Sequence, residues 1–124
     1  MTILFVDDQP QILKIYSEEV DYAPPWATVL TAEGGEEALQ LLKTHKVDLV
    51  FTDARMPRMD GHEFAKRARD LYPEIPVFMI TGYAGEITEE DIVANGVRRV
   101  FSKPIDLDFL VEFVAEQRSK LLGA

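Results

Sequence analysis

Side chains that can bind a cation or a phosphate group follow short, mostly apolar runs at four places in this sequence. They are Asp7 and Asp8 after residues 3–6, Asp53 after 49–52, Thr81 after 77–80, and Lys103 just beyond 100–101. If these runs are parallel strands of one sheet, their carboxyl ends lie along one edge, where the distant side chains become neighbours. Carboxylates gathered there repel one another and need a cation or raised pKa values to coexist. The set therefore predicts a Mg²⁺-dependent phosphoryl site.

Length and composition predict a single acidic domain. The chain has 124 residues, of which 47% are hydrophobic and 28% charged, and its net charge is -9 at pH 7. Such a charge argues against direct binding to nucleic acid or to anionic membranes, because both attract Lys and Arg. The sequence contains no cysteine, which excludes disulfides and thiolate metal sites, and we expect a cytoplasmic protein. The first apolar run is too short for a signal peptide or a membrane span.

Five apolar runs alternate with five helical patterns along the chain. Within the runs, apolar residues do not alternate with polar ones, which is typical of strands buried on both faces of a parallel sheet. Strands are predicted at 3–6, 26–32, 47–52, 77–80 and 97–101. A helix is predicted after each strand, with Asp60 and Asp106 as N-caps of the third and fifth helices. This alternation predicts an α/β fold, a doubly wound five-stranded parallel sheet with five helices on its two faces.

The spacing of apolar residues predicts the buried side of each helix. The predicted buried residues are Ile12, Leu13, Ile15, Tyr16 and Val20 in the first helix, Ala38, Leu39, Leu41 and Leu42 in the second, Phe64, Ala65, Ala68, Leu71 and Tyr72 in the third, and Leu107, Leu110, Val111, Val114 and Leu121 in the fifth. The fourth helix, at 88–94, has only Ile87, Ile92 and Val93 as anchors. We therefore expect it to be the least firmly packed helix.

Taken together, the motifs resemble the receiver domain of response regulators in two-component signalling. The resemblance rests on Asp7-Asp8, on Asp53 and the loop 56–61 that follows it, on Thr81-Gly82 and on Lys103-Pro104. It covers nearly the whole chain, and the motifs occur in the family's order at the predicted strand ends. The resemblance implies a CheY-like, flavodoxin-like fold with strand order 2-1-3-4-5, as one receiver domain over residues 1–124.

The resemblance also implies which residues bind the phosphoryl group and the metal. Asp53 would be the phosphoacceptor and would form an acyl phosphate. Asp8, Asp53 and the main-chain carbonyl of Arg55 would bind Mg²⁺, and Asp7 would do so through a water molecule. Lys103 would pair with one phosphoryl oxygen.

The remaining implied features complete the phosphoryl pocket. The Thr81 hydroxyl would move to bond a second phosphoryl oxygen, and the small Gly82 would leave the pocket open. The peptide bond between Lys103 and Pro104 is usually cis in this family, which would aim the lysine side chain into the site.

The implied function is that of a phosphorylation-activated switch. The phosphoryl donor would be the phosphohistidine of a sensor histidine kinase or phosphotransfer protein, and the protein would not be an enzyme beyond its own Mg²⁺-dependent phosphorylation and autodephosphorylation. The surface that changes would be the fourth helix, fifth strand and fifth helix, at 86–94, 97–101 and 107–121. It would regulate a downstream protein target or output domain, whose identity is open. A homodimer that forms on phosphorylation is also compatible with the sequence.

One feature departs from many members of the family. Receivers often have Tyr or Phe three residues before the lysine, where ring rotation accompanies the threonine movement, and this sequence has Val100. Phe101 should point to the opposite side of the strand and cannot replace that ring. We also hypothesise that Arg55 and Tyr83, two residues after the phosphoacceptor and the threonine, hinder the attacking water and lengthen the phosphorylated lifetime.

Three other functions are compatible with such a sheet. A phosphatase of the haloacid-dehalogenase type also uses an aspartate nucleophile and Mg²⁺, but it needs a second aspartate where this sequence has Arg55. A flavodoxin-like binding module needs a Gly-rich loop after the first strand, where this sequence has Asp7-Asp8. A degenerate receiver that binds proteins constitutively would not need the complete set of acidic and basic residues.

Overall fold

A five-stranded parallel sheet forms the centre of the computed structural model, which describes residues 1–22 and 26–122. The strands are β1 (Thr2–Val6), β2 (Thr28–Ala32), β3 (Leu49–Thr52), β4 (Val77–Thr81) and β5 (Val97–Ser102). They lie in the order β2-β1-β3-β4-β5, and all four neighbouring pairs are parallel. The predicted fold and strand order are therefore confirmed.

In the described residues, four α-helices and one short 3-10 turn connect the strands, and a fifth α-helix follows β5. They are α1 (Pro10–Tyr22), α2 (Gly35–Thr44), α3 (Gly61–Leu71), the 3-10 turn Ala84–Glu86, α4 (Glu89–Asn95) and α5 (Leu107–Leu121). Both predicted caps are present, because the Asp60 and Asp106 side chains accept hydrogen bonds from the third backbone N–H of α3 and α5. The 3-10 turn was not predicted. None of the described helices is long and apolar enough to cross a membrane.

Residues along the strands alternate between the two faces of the sheet, apart from an irregularity in β5 between Val97 and Val100. In β1, Ile3 and Phe5 are buried against α1 and α5, whereas Leu4 and Val6 are buried on the side of α2, α3 and α4. The continuous apolar runs in the sequence follow from this arrangement, since helices cover both faces.

Position 100 shows the same alternation in β5. Val100 is half-buried in the cluster with α2, α3 and α4, and Phe101 is buried in the cluster with α1 and α5. The prediction that Phe101 points away from the side of Val100 is thus confirmed. Its ring contacts Phe78 and Phe113 instead, with centroid distances of 6.5 and 5.0 Å.

Several predicted boundaries and buried positions were wrong. The second strand begins at Thr28 and not at Trp26, which lies in a turn, and the third begins at Leu49 and not at Val47. Four residues predicted to be buried are exposed: Ile15, Leu71, Val93 and Leu121. Ile15 lies about 100° around the helix from Tyr16 and therefore falls outside the buried stripe.

The other three exposed residues have positional explanations. Leu71 and Leu121 are the last residues of α3 and α5, and the half-buried Tyr72 covers the apolar cluster beyond the end of α3. Val93 follows Ile92 directly on α4, which has only seven residues. Ile92 packs against the apolar cluster, and Val93 faces away from it.

Helix α4 is attached to the rest of the molecule more weakly than the other helices. It has seven residues, and it is the only α-helix of the described chain without a buried residue. Its C-terminal end is held by polar contacts with α3, because Arg69 donates to the carbonyl of Ala94 at 2.7 Å and His62 lies 3.2 Å from the Asn95 amide. The expectation that the fourth helix is the least firmly packed is confirmed.

Candidate functional site

The carboxyl ends of the strands bring the predicted site residues together. Backbone hydrogen bonds continue one residue beyond the strands, from Asp7 to Ala32, from Asp53 to Val6 and from Lys103 to Thr81, at 2.9 to 3.1 Å. These bonds fix the first residue of each loop relative to its neighbouring strand. The site is therefore built on the sheet and not on mobile loop segments.

Three carboxylates and one ammonium group form the centre of the site. Asp7, Asp8 and Asp53 each offer an oxygen, and these atoms lie within 4.8 Å of one another. The Lys103 ammonium donates to Oδ2 of Asp7 at 2.6 Å and to Oδ2 of Asp53 at 2.9 Å. Asp7 and Asp53 are buried, whereas Asp8 is exposed. The ammonium thus bridges the two carboxylates that are buried.

Burial and pairing shift the pKa values of this group in identifiable ways. Loss of solvent raises the pKa of Asp7 above its ordinary value, although hydrogen bonds from Lys103 and from the Gln9 N–H act in the opposite direction. For Lys103, burial acts to lower the pKa, but the hydrogen bonds to Asp7 and Asp53 outweigh it and the pKa is raised. Lys103 therefore stays charged at neutral pH.

The backbone around Asp53 is tightly packed. Its Oδ1 atom accepts a hydrogen bond from the Ala54 N–H at 2.7 Å, and the Gly61 N–H donates to the Ala54 carbonyl at 2.8 Å. A Cβ atom at position 61 would lie 1.8 Å from the Asp53 carbonyl oxygen, so only glycine fits there. Sequence reasoning missed this role of Gly61, although the glycine beside the predicted cap Asp60 was a visible signal.

Thr81 is the last residue of β4, and its side chain is fully buried. Its hydroxyl accepts a hydrogen bond from the Tyr83 N–H at 3.1 Å. The bond ties the hydroxyl to the loop that follows β4. The Lys103-Pro104 peptide bond, at the end of the neighbouring strand, is cis, as the resemblance implied.

A cleft of about 500 Å³ opens beside the carboxylates. Asp8 lines it, together with Arg55 from the loop after β3 and Tyr83 and Glu86 from the loop after β4. The Arg55 guanidinium lies over the Tyr83 ring, 3.7 Å from its centroid, and donates a hydrogen bond to Glu86. The two side chains that were predicted to flank the phosphoryl group therefore contact each other.

The donor set suits a small, hard divalent cation. Mg²⁺ prefers carboxylate and carbonyl oxygens and retains several waters, and the cluster offers three carboxylates, one of them open to the cleft. A cation would also offset the repulsion between these carboxylates. The acidic cluster is thus consistent with metal binding, while the assignment of individual ligands stays a prediction.

A sequence model described as the response regulator receiver domain matches residues 3–115 of this chain. The chain belongs to this family. Among similar curated proteins, the transcriptional regulatory protein GlrR of Escherichia coli (strain K12) is 33% identical over 112 residues, which are 90% of this chain and 25% of that protein. The sensor histidine kinase RcsC of Salmonella typhimurium is 31% identical over 115 residues, or 93% of this chain and 12% of the kinase. The receiver domain described here thus spans a quarter or less of these relatives.

Solved receiver structures share the whole fold. The signal receiver domain of an HD domain-containing protein from Pseudomonas fluorescens superposes with a TM-score of 0.85 at 28% identity and covers 99% of this chain and 98% of that chain. The response regulator TrrA from Thermotoga maritima, in complex with Mg²⁺ and BeF, gives a TM-score of 0.82 at 30% identity over 94% of this chain and 97% of that chain. The receiver domain therefore has the architecture of a phosphoacceptor switch in two-component signalling.

Proposed function

We propose that Asp53 of this receiver domain accepts a phosphoryl group from a phosphohistidine. The observation that supports this most strongly is the half-buried Lys103 ammonium between the carboxylates of Asp7 and Asp53, with Asp8 beside them. A carboxylate oxygen of Asp53 would bond to phosphorus as the phosphorus–nitrogen bond breaks. The bonding electron pair would leave with the imidazole nitrogen, and a proton on the other ring nitrogen of the phosphohistidine makes the leaving group a neutral histidine.

Lys103 and Thr81 would stabilise the phosphoryl group once it is on Asp53. The raised pKa of Lys103 keeps its ammonium charged, so it can donate to a phosphoryl oxygen in place of the Asp53 carboxylate. The Thr81 hydroxyl accepts a hydrogen bond from the Tyr83 N–H and can donate its own hydrogen to a second phosphoryl oxygen. Movement of Thr81 would pull on the loop after β4.

The residues that would hold Mg²⁺ are Asp8, Asp53 and the main-chain carbonyl of Arg55, with Asp7 acting through a water molecule. When bound, the ion would neutralise charge on the carboxylates and on the incoming phosphoryl group. Asp8 would provide the ligand at the open side of the cluster, because its carboxylate lines the cleft. Asp7 is bound to Lys103 and to the Gln9 N–H, which holds its carboxylate in a fixed position.

The donor would be a sensor histidine kinase or a phosphotransfer protein, and the output would be a change in the surface of α4, β5 and α5. Similar proteins include sensor kinases and transcriptional regulators, which supports a kinase partner and a downstream target or output domain. Helix α4 has the fewest buried contacts on that surface and should change most. The cytoplasmic location, the single domain over residues 1–124 and phosphorylation-dependent dimerisation stay predictions.

The receiver would not act as a phosphatase on small substrates. In the haloacid-dehalogenase mechanism, a general acid lies two residues after the nucleophile, and here that side chain is the guanidinium of Arg55, which donates to Glu86. A guanidinium stays protonated at neutral pH and cannot serve as that acid. Asp53 chemistry would therefore end at phosphorylation and slow hydrolysis of the acyl phosphate.

Labelling with acetyl phosphate tests this function. Intact-mass measurement should show one phosphoryl group on the wild type with Mg²⁺, and none on Asp53→Asn or after chelation of the metal. Asp70→Asn, at an exposed position on α3, is the matched control and should label like the wild type. Labelling of Asp53→Asn, or an unlabelled wild type, would refute the proposal, and repeated turnover of a phosphate monoester would support the phosphatase.

A further inference from the structure

Three side chains connect the loop after β3 to the loop after β4 at the cleft beside the carboxylates. We call them the rim triad: Arg55, Tyr83 and Glu86. Arg55 follows β3, Tyr83 follows β4, and Glu86 is the last residue of the 3-10 turn that precedes α4. The Arg55 guanidinium stacks on the Tyr83 ring at 3.7 Å and donates through Nη2 to Oε2 of Glu86. The Arg55 guanidinium therefore links the loop after β3 to the loop after β4.

Two anions are candidates to bind the Arg55 guanidinium: the carboxylate of Glu86 and, after modification, the phosphoryl group on Asp53. It lies two residues after Asp53, and in the unmodified protein its guanidinium is bound to Glu86. An acyl phosphate on Asp53 would present a group with about two negative charges and three acceptor oxygens. A planar guanidinium binds such a group through two parallel hydrogen bonds, more strongly than it binds one carboxylate oxygen.

We propose that Glu86 is a positioning residue that holds Arg55 away from the phosphoryl site, and that phosphorylation of Asp53 makes Arg55 exchange Glu86 for phosphoryl oxygens. The exchange releases the 3-10 turn before α4. This inference rests on the proposed function, because it requires a phosphoryl group on Asp53. It adds a residue, Glu86, that regulates the site from outside it.

Solvent exposure makes this exchange feasible at the rim. The side chains of Arg55 and Glu86 are 59% and 63% exposed, whereas those of Lys103 and Asp7 are 19% and 3% exposed. Exposed ion pairs contribute little free energy, because water solvates both partners when they separate. Opening the rim pair therefore costs much less than opening the buried pair at Lys103.

Glu86 lies just before α4 in the sequence, so loss of its contact with Arg55 would affect the start of that helix. Thr88, the N-cap of α4, follows Glu86 by two residues, and α4 contains no buried residue. The other end of the helix is held by the hydrogen bond from Arg69 to the Ala94 carbonyl. Release of Glu86 would therefore loosen the N-terminal end of α4 while its C-terminal end stays attached.

This route also suits a receiver with valine at position 100. Val100 has no ring whose rotation could accompany the movement of Thr81, so β5 cannot transmit that movement in the usual way. The rim triad connects the phosphoryl cleft to α4 without β5. The two groups that form this connection, the Arg55 guanidinium and the Glu86 carboxylate, are both charged.

Binding of beryllium fluoride with Mg²⁺ tests the exchange, because this probe stands in for the phosphoryl group on aspartate. Glu86→Gln should bind it about two- to fivefold more tightly than the wild type, since Arg55 is no longer held back. Glu63→Gln is the matched control, because Glu63 also accepts a hydrogen bond from an exposed arginine, Arg67, at 2.9 Å within α3. Its affinity should equal that of the wild type.

A double-mutant cycle separates the exchange from simple charge removal. In an Arg55→Ala background, Glu86→Gln should no longer tighten binding, because there is no guanidinium to release. The same gain in both backgrounds would mean that Glu86 only repels the anion, and it would overturn the proposal. Unchanged affinity of Glu86→Gln in the wild-type background would overturn it as well.

Amide hydrogen exchange provides a readout that does not depend on affinity. In the wild type, the probe should speed exchange at Ala84–Glu86 and in the first turn of α4, and Glu86→Gln should show fast exchange there without the probe. Protection that rises in these segments on binding would contradict the inference. A wild type that does not bind the probe at all would count against the proposed function itself, whereas equal binding by wild type and Glu86→Gln overturns only the role of Glu86.

Discussion

Lys103 and Arg55 are two cationic side chains in different surroundings: Lys103 contacts Asp53, and Arg55 follows Asp53 by two residues in the sequence. Lys103 is mostly buried and donates to two buried carboxylates. Arg55 is exposed, stacks on Tyr83 and donates to the exposed Glu86. Lys103 connects the ends of β1, β3 and β5, and Arg55 connects the loop after β3 to the loop after β4, but water has much freer access to Arg55 than to Lys103.

The difference in burial suggests different uses for the two contacts. Separating Lys103 from its partners would leave unpaired charges in a region with little access to water, because the side chains of Lys103, Asp7 and Asp53 are only 19%, 3% and 11% exposed, and this is strongly unfavourable. Separating Arg55 from Glu86 exposes both groups to water and costs little. We infer that the buried contact fixes the geometry of the phosphoacceptor, while the exposed contact can change partners when a stronger anion appears.

Removal of the Lys103 ammonium should have the largest effect on stability. Without Mg²⁺, Lys103→Met should lower the free energy of unfolding at pH 7 by about 3 kcal/mol, because Asp7 and Asp53 would face each other without a cation. Urea unfolding in the presence of a chelator measures the loss. Saturating Mg²⁺ should recover part of it, since the ion can compensate the same carboxylates.

The pH dependence of that loss provides a further check. The pKa of Lys103 is raised on folding, so its contribution is complete below the unfolded value of 10.5 and disappears as pH rises through the folded value. The difference between wild type and variant should therefore persist to about pH 10.5 and then shrink. Lys66→Met, at an exposed position on α3, should change stability little. An equal loss of stability in both variants would mean that Lys103 contributes no more than an exposed lysine, and it would contradict the difference between the buried and the exposed contact.

Neutralising Asp7 should have a smaller effect of opposite sign. The pKa of Asp7 is raised by burial, which means that the folded protein disfavours its charge even with Lys103 present. Asp7→Asn should therefore stabilise the metal-free protein at pH 7 by about 1 kcal/mol. The raised pKa makes the wild type lose stability as pH rises from the unfolded value of 3.8 through the folded value.

The gain from Asp7→Asn should accordingly vanish below about pH 3.8, where the aspartate is protonated in both states. Glu19→Gln on the exposed side of α1 is the control and should not alter stability at either pH. If Asp7→Asn destabilised the protein at pH 7, the pairing with Lys103 would outweigh the loss of solvation, and the buried contact would be favourable in itself.

The buried contact could be anticipated from the sequence, and the exposed one could not. Parallel strands align their carboxyl ends, so Asp7, Asp53 and Lys103 were expected along one edge of the sheet once the apolar runs were identified as strands. The pairing of Arg55 with Glu86 depends on the rotamers of two long side chains and on a 3-10 turn at Ala84–Glu86. No apolar periodicity encodes either feature, because such side chains can extend in several directions into water.

The fold also combines features that could be predicted from the sequence with features that could not. Element order followed from continuous apolar runs and from caps such as Asp60, which act locally, whereas the strand order was implied by the resemblance to receiver domains. The errors at Ile15 and Val93 arose because spacing gives the centre of an apolar stripe but not its width. Gly61 was underestimated for another reason, since the approach of its backbone to the Asp53 carbonyl is a tertiary contact.

Hydrolysis of the acyl phosphate should respond most weakly, through the exposed side chains. The stack of Arg55 on Tyr83 at the cleft would shield phosphorus from water, so Arg55→Ala and Tyr83→Ala should each hydrolyse about two- to fivefold faster than the wild type, a barrier change of under about 1 kcal/mol. Decay of labelled protein after removal of acetyl phosphate measures this rate. Arg67→Ala on α3 should keep the wild-type rate. Unchanged decay in both test variants would discard the shielding hypothesis, and a faster rate in only one would show that the stack does not act as a unit.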